Sequence, residues 1–279
     1  MAMEKNRKYG FLSLLLVLLI SLLATGCAKT TSSAKTTTEG STANQNLDSS
    51  WDSVKNKGEL VVGLCAQYPP FESRNEKSGE YEGFDVDLAN AIGKELGIKV
   101  KHVDAAWEAL LGGVQKGDYD VLITAMSKQE ASKDNVSLSD SYYNLKEIIV
   151  VRSDDNGIKS VEDLKGKIVG VQTACSAEEA VDKLTGLKEV KRYNRNAEAF
   201  IDLRNKRVEA VVVGLAYATT EMKNNKDVKV INSPIGSNEL VMVSKKGADA
   251  LTAKLNEGLA KIKQNGAYDQ AISKWLKVE

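Results

Sequence analysis

Histidine and cysteine are nearly missing from this chain of 279 residues, which has one of the first and three of the second. With His102 alone, the sequence offers no zinc-type cluster, and no Ser/His/Asp constellation is recognisable in it. Three cysteines do not make a disulfide scaffold, although one bridge between Cys65 and Cys175 remains open. An excess of either charge is also lacking: 38 basic side chains meet 38 acidic ones. No global field therefore favours nucleic acid, acidic substrates or a membrane surface, and the interspersed charges read as a solvated surface. A permanent bilayer span needs roughly 20 apolar residues. The apolar run from Phe11 to Leu23 is shorter than that.

What is present begins at that run. Lys5, Arg7 and Lys8 precede it, and Ala24-Thr25-Gly26-Cys27 closes it with small residues before a cysteine. This is the layout of a cleaved secretory signal, residues 1–26. A cysteine at the cut resembles the lipobox of bacterial lipoproteins, with Ala24 where leucine is commoner. The resemblance implies that the Cys27 thiol carries diacylglycerol and that Cys27 becomes the N-terminus. Residues 27–50 are rich in Thr, Ser, Ala and Lys and almost empty of apolar side chains. Such a stretch cannot offset its ordering entropy and is expected to be a disordered tether. Folded sequence is expected from near Trp51, about 250 residues remaining once the signal is removed.

Beyond the tether, short β-branched runs alternate with amphipathic segments. Leu60 to Val62, Val100 to Val103 and Val121 to Ile123 read as strands. Asp85 to Leu96, capped by Asp85, and Trp107 to Val114, ended by Gly117, read as helices. Ile148 to Val151 reads as extended. The order then restarts, with capping boxes expected at Ser160 to Asp163 and Ser176 to Glu179. Strands are expected at Ile168 to Val171, Ala210 to Val213 and Leu240 to Val243. Leu251, Leu255, Leu259 and Ile262 mark one long helix, and Tyr268, Ile272 and Trp275 a last one. Apolar runs between helices indicate parallel strands buried on both faces, hence an α/β fold of two successive units. Ligands in such folds sit at strand C-terminal ends, beside helix N-termini.

Several strings occur in a telling order: Tyr68-Pro69-Pro70-Phe71-Glu72, Gly83-Phe84-Asp85-Val86-Asp87-Leu88, Gly117-Asp118-Tyr119-Asp120, Leu138-Ser139-Asp140-Ser141-Tyr142-Tyr143, Leu164-Lys165-Gly166-Lys167 and Gly266-Ala267-Tyr268. Together they resemble the amino-acid-type (family 3) extracellular solute-binding lipoproteins of bacterial ABC importers, over nearly all of the chain from Trp51 onward. The resemblance implies a two-lobed periplasmic-binding-protein fold of type II, each lobe a central sheet flanked by helices, with the ligand cleft between lobes. It implies residues 51–149 as the first part of lobe 1, 150–239 as lobe 2, and 240–279 as a C-terminal return to lobe 1. It implies a small-molecule ligand, a membrane permease as partner, no cofactor, no nucleic acid, and a monomer held by the Cys27 lipid at the extracytoplasmic face of a bacterial cell membrane.

The same resemblance maps a ligand wall. Tyr68 and Trp107 fall at aromatic wall positions, and such a pair can sandwich an apolar or cationic ligand. Phe71 and Phe84 read as core. Thr124, Ala125 and Ser127 follow a strand end, where the family holds the ligand's amino or carboxylate group; Ala125 can contribute backbone only. Ser176 opens a helix, a natural anion site, and also reads as an ordinary N-cap. Two charged anchors of the family are replaced. Ser132 stands where an arginine pairs with the ligand carboxylate, and Gly214 where an acid binds the amino group. Lys128 and Lys133 read as solvent-exposed, and Glu209 as a separate structural acid. Losing both anchors points to a solute other than a standard free α-amino acid. Cys65 and Cys175 fall on opposite lobes near the ligand, as small apolar residues or as a bridge.

Three outputs stay open on this sequence. One is delivery to an importer, another a sensor that presents its ligand to a receptor. The third is a dehydratase-like enzyme, since some relatives of this fold act on cyclic acids. Catalysis would need a positioned acid or base. Glu178 and Glu179 are first-turn acids suited to the helix dipole, and His102 sits in a strand-like run, so the non-enzymatic reading is preferred.

Overall fold

The computed structural model describes residues 48–276. The expected signal, Cys27 and the tether up to residue 47 lie outside the described residues. Order begins before Trp51, because the Asp48 carboxylate accepts the Ser50 N–H (2.9 Å) and the Ala250 N–H. Helix α1 (Ser50–Lys57) follows, closed by Gly58 at φ 71°, a left-handed turn that glycine adopts without strain.

The first lobe continues with β1 (Glu59–Leu64), a small antiparallel sheet of β2 (Gln67–Tyr68), β3 (Glu72–Arg74) and β4 (Tyr81–Glu82), then α2 (Phe84–Leu96) and β5 (Lys99–Asp104). A 3-10 turn, Trp107–Ala109, leads into α3 (Leu110–Lys116), followed by β6 (Val121–Leu122) and the short α4 (Lys128–Ala131). Strand β7 (Val136–Arg152) crosses to the second lobe. That lobe holds β8 (Ile168–Gln172), α5 (Ser176–Asp182), β9 (Glu189–Tyr193), α6 (Asn196–Arg204), β10 (Ala210–Gly214) and α7 (Leu215–Asn224). Strand β11 (Val228–Lys245) crosses back, and α8 (Asp249–Gln264) and α9 (Ala267–Trp275) end the chain.

The main sheet runs β5-β1-β6-β11-β7-β10-β8-β9 through both lobes. β1 pairs in parallel with β5 and β6, and β8 with β9 and β10, as buried apolar runs between helices require. The difference from the sequence reading lies in the middle. Ile148 to Val151 and Leu240 to Val243 are parts of strands of 17 and 18 residues that pair antiparallel with each other. Polar positions such as Ser141, Asn144, Asn238 and Glu239 interrupt the apolar runs, which hides the strands' length from a hydrophobic count. Their register shifts between Ile231 and Gly236 and again between Leu240 and Val243; such bulges add local bend and twist where the chain passes between lobes.

Each lobe has its own core. In the first, Leu60, Phe71, Phe84 and Ile92 pack with Leu251, Leu255, Leu259 and Ile262 of α8, so the C-terminal helices complete the lobe begun by β1. Each such burial contributes about 1.5–3 kcal/mol. In the second, Phe200, Leu203, Val213 and Tyr217 form one layer and Val169, Val171, Val181 and Val212 another. Phe71 and Phe84 are fully buried core side chains.

Three expected caps are corrected. Asp85 is the second residue of α2 and turns inward, while Gly83 precedes the helix at φ 136°. Ser160 to Asp163 makes half a box, with Asp163 accepting the Lys159 and Ser160 N–H groups (3.0 Å each) before a 3-10 turn. At α5 the cap position is Cys175, and Ser176 is already helical. A full capping box exists instead between Ser127 and Glu130 at α4.

Candidate ligand-binding site

A cavity of about 200 Å³ opens between the lobes, with walls from both. Cys65, at the end of the buried run of β1, and Tyr68, Trp107, Thr124 and Ala125 line it from the first lobe. Cys175, Ser176 and Gly214 line it from the second. Contacts bridge the two sides. The Trp107 indole N–H donates to the Ala174 carbonyl at 2.8 Å, and Lys133 pairs with Glu179.

Two sequence-derived site residues lie elsewhere. Ser127 is fully buried and caps α4, its hydroxyl accepting the Glu130 N–H at 3.1 Å. Ser132 is exposed, ends α4 and donates its hydroxyl to the Lys128 carbonyl at 2.5 Å. A four-residue helix turns it away from the cavity. Lys133 is engaged by Glu179, and Lys128 lies 3.6 Å from Glu239, so neither enters.

Thr124 and Ala125 are wall, with these groups already spoken for. The Thr124 hydroxyl accepts the Cys65 N–H (3.0 Å) and donates to Glu72 Oε1 (2.9 Å). Ala125 adopts φ 48°, unusual for a residue with a Cβ, and its N–H is held by Asp85 Oδ2 (2.5 Å) and the Tyr142 hydroxyl oxygen (3.0 Å). The backbone donor expected there is therefore not free. Beneath it, Glu72 and Asp85 are buried carboxyls whose pKa values are both pushed up, chiefly by burial. Glu72 Oε2 and Asp85 Oδ1 have no donor from any other residue, and a hydrogen bond between the two carboxyls requires one of them to be protonated.

Tyr68 stacks on protein rings, Phe71 at 5.7 Å and Tyr217 of the second lobe at 5.1 Å, instead of standing open as half of a sandwich with Trp107. Its hydroxyl explains Gly214. A Cβ there would lie 2.3 Å from Tyr68 Oη and 2.9 Å from Leu145 Cδ2. No side chain, acidic or other, fits Gly214 while Tyr68 keeps this position.

An acid stands beside it nonetheless. Glu147 of β7 pairs in register with Gly214 on one side and with Gly236 on the other. Directly opposite residues share a face of the sheet. Glu147 is 1% exposed and lines the cavity; its Oε1 accepts from Ser176 Oγ (2.7 Å) and Asn238 Nδ2 (3.3 Å). Burial pushes its carboxyl up to about 7. Glu130 also lines the cavity, and burial raises it to about 8. The sequence reading missed both. Glu130 was visible as the fourth residue of a Ser-x-x-Glu pattern, whereas Glu147 sits in a polar stretch with no motif.

Cys65 and Cys175 both line the cavity and both are free thiols. Cys175 Sγ donates to the Gln172 carbonyl at 3.1 Å. Burial, aided by nearby carboxyls, pushes Cys65 up to about 12 and Cys175 upward too, so both are neutral thiols of low reactivity. Glu108 and Glu198 line the cavity as exposed carboxyls, whereas the acids beside the cleft have structural partners. Glu178 accepts the Ala174 N–H (2.6 Å) and pairs with Arg192 (2.5 Å), and Glu209 accepts the Ile168 N–H (2.6 Å). His102, on β5, faces Asn90 Oδ1 at 3.2 Å. Among the described residues no helix is long and apolar enough to cross a membrane.

Residues 60–278 match the bacterial extracellular solute-binding proteins, family 3. The chain is 30% identical over 229 residues to the arginine-binding extracellular protein ArtP of Bacillus subtilis (strain 168), covering 80% of this chain and 88% of that one. It is 28% identical over 225 residues to the L-cystine-binding protein TcyJ of Escherichia coli (strain K12), covering 80% and 84%. Among solved structures, an ancestral arginine-binding protein bound to glutamine matches with TM-score 0.73 and 38% identity, covering 78% of this chain and 97% of that one. An ancestral amino acid-binding precursor of cyclohexadienyl dehydratase matches with TM-score 0.75 and 33% identity, covering 81% and 99%.

Proposed function

Because the chain belongs to the family 3 bacterial extracellular solute-binding proteins, we propose that it is the lipid-anchored capture protein of an ABC importer, closing two lobes over one small amino-acid-like solute. The observation that carries this reading is the cavity walled by both lobes and bridged by Trp107 to Ala174. A ligand touching both walls stabilises the closed form over the open one, and a permease can read that difference. The bridging contacts are few, one neutral hydrogen bond, one ion pair and the Tyr68–Tyr217 stack, so closure without ligand is weakly held.

The cargo has to be argued from this chain, because its relatives are named for different ones: arginine, cystine, glutamine and histidine. Ser132 faces solvent and Gly214 has no room for a side chain. Recognition therefore differs from that of a standard free α-amino acid, and tight calorimetric binding of an ordinary amino acid would sink this part of the reading. The buried lining carboxyls Glu130 and Glu147 are held by structural partners except for one oxygen of Glu147, which favours binding over turnover. Glu72, which also has an unpaired oxygen, shares its proton with Asp85.

Cys27 is the proposed lipid attachment, which keeps a monomer beside its permease at the extracytoplasmic membrane face. Replacing it, Cys27→Ser, is expected to abolish acyl labelling and release the protein from the membrane fraction. A thermal-shift screen over amines, amino acids, nucleosides and small acids tests capture itself, since a ligand of the folded state raises the melting temperature. No shift with any of them would count against capture.

A further inference from the structure

Resting on the capture reading, we propose that Glu147 is the seat for a positively charged nitrogen of the solute, an ammonium or guanidinium group, so that the cargo is a cationic amine or guanidine. Three observations carry it. Glu147 Oε1 is engaged by Ser176 and Asn238, while Oε2 is buried with no hydrogen-bond partner. The other unpaired carboxyl oxygen of the cavity, on Glu72, is accounted for by Asp85. The β-strand neighbours of Glu147 are Gly214 and Gly236, so neither flanking residue lays a side chain of its own over the carboxylate, the Gly214 side being occupied by the Tyr68 hydroxyl.

A buried carboxylate oxygen without a donor is costly, and a ligand N–H that carries charge repairs both the missing bond and the missing counter-charge. A neutral donor would supply only the bond. Among the lining residues the one permanent cation is Arg195, which is exposed. The seat is also placed to report closure. Glu147 sits on a crossing strand, and its orienting hydroxyl comes from Ser176 at the start of α5 in the second lobe.

Occupation should release a proton. The ionisable groups facing Glu147 are Glu130 on α4, Cys175 before α5 and Tyr68 on β2, and none of them brings a positive charge. In the empty site the Glu147 carboxyl ionises at about 7. A cation requires it ionised, so affinity rises with pH, by about tenfold from pH 6 to 8 for one such group. Glu130 acts in the same direction.

The test is calorimetric titration of the full chain, purified in detergent, with 1,5-diaminopentane, 4-guanidinobutylamine and succinate at pH 6 and 8, for the parent and for Glu147→Gln. Heats in two buffers of different ionisation enthalpy count the protons. The expected result is binding of cationic probes with proton release, stronger at pH 8, and weakened at least tenfold in the variant while it melts cooperatively. A less than twofold change in the folded variant, or binding of succinate in place of the cations, overturns the seat but leaves capture standing. Absence of binding by all three probes overturns the seat. Only an equally silent broad screen would reach the capture reading.

Discussion

Removing the charge of Glu147 should make the ligand-free protein more stable, in a window of pH that the structure defines. Glu147→Gln keeps the shape of the side chain and an oxygen to accept from Ser176 and Asn238. The carboxyl ionises at about 7 in the fold against an ordinary value of 4.5, because burial disfavours the charged form. The folded state therefore binds more protons than the unfolded state between these values, and stability falls as pH rises. The contribution of this group is fully present below 4.5 and is lost as pH passes through 7. At about 1.4 kcal/mol per pH unit, the loss amounts to about 3 kcal/mol at pH 8. The glutamine variant carries no such loss. Urea unfolding of both proteins at pH 4.5 and pH 8 measures it, the difference between them cancelling other titrating groups apart from Glu130, which feels Glu147 directly. The expected outcome is near-equality at pH 4.5 and a variant more stable by 2–3 kcal/mol at pH 8, on the same order-of-magnitude basis. A parent as stable as the variant at pH 8 would refute the claim that Glu147 is buried without a counter-charge. A gain in stability accompanied by loss of binding is the pattern of a residue kept for function.

The other expectations concern the walls. Gly214→Asp, which places an acid where the sequence resemblance leads one to expect it, should displace Tyr68 from its stack on Tyr217 and destabilise the protein by about 1–3 kcal/mol through overpacking, read by thermal or urea melting. Trp107→Phe removes the indole donor to Ala174 and should shift the empty protein toward an open form by about 1 kcal/mol, visible as a larger radius of gyration in X-ray scattering. Asp85→Ala leaves the Ala125 N–H without its carboxylate acceptor and Glu72 without its proton-sharing partner. It should cost about 3 kcal/mol or more in urea unfolding, whereas Asp85→Asn should cost less.

How far the sequence reached depends on the range of each interaction. Strands such as Ala210 to Val213 and the heptad-like leucines of α8 are local patterns, and burial on both faces or on one stripe writes them directly into residue order. The ends of elements were read less well. Asp85, an apt cap by residue type, is drawn inward by Ala125 and Tyr142, residues that local spacing cannot bring near. Ser127 and Ser176 exchange their expected roles for the same reason: one caps a helix, the other orients a carboxyl.

By itself, then, the residue order determined the class of fold, the alternation of strands and helices, and the ordered motifs that carry the family. It also marked Ser132 and Gly214 as departures. Only the tertiary structure decided what those departures mean. Gly214 is small because Tyr68 fills its space, and an acid stands opposite it on β7, from a position 67 residues earlier in the chain. Pairing across a sheet joins residues that are remote in sequence, and burial then sets their charge. Neither effect has a local signature, because both depend on which neighbours replace water.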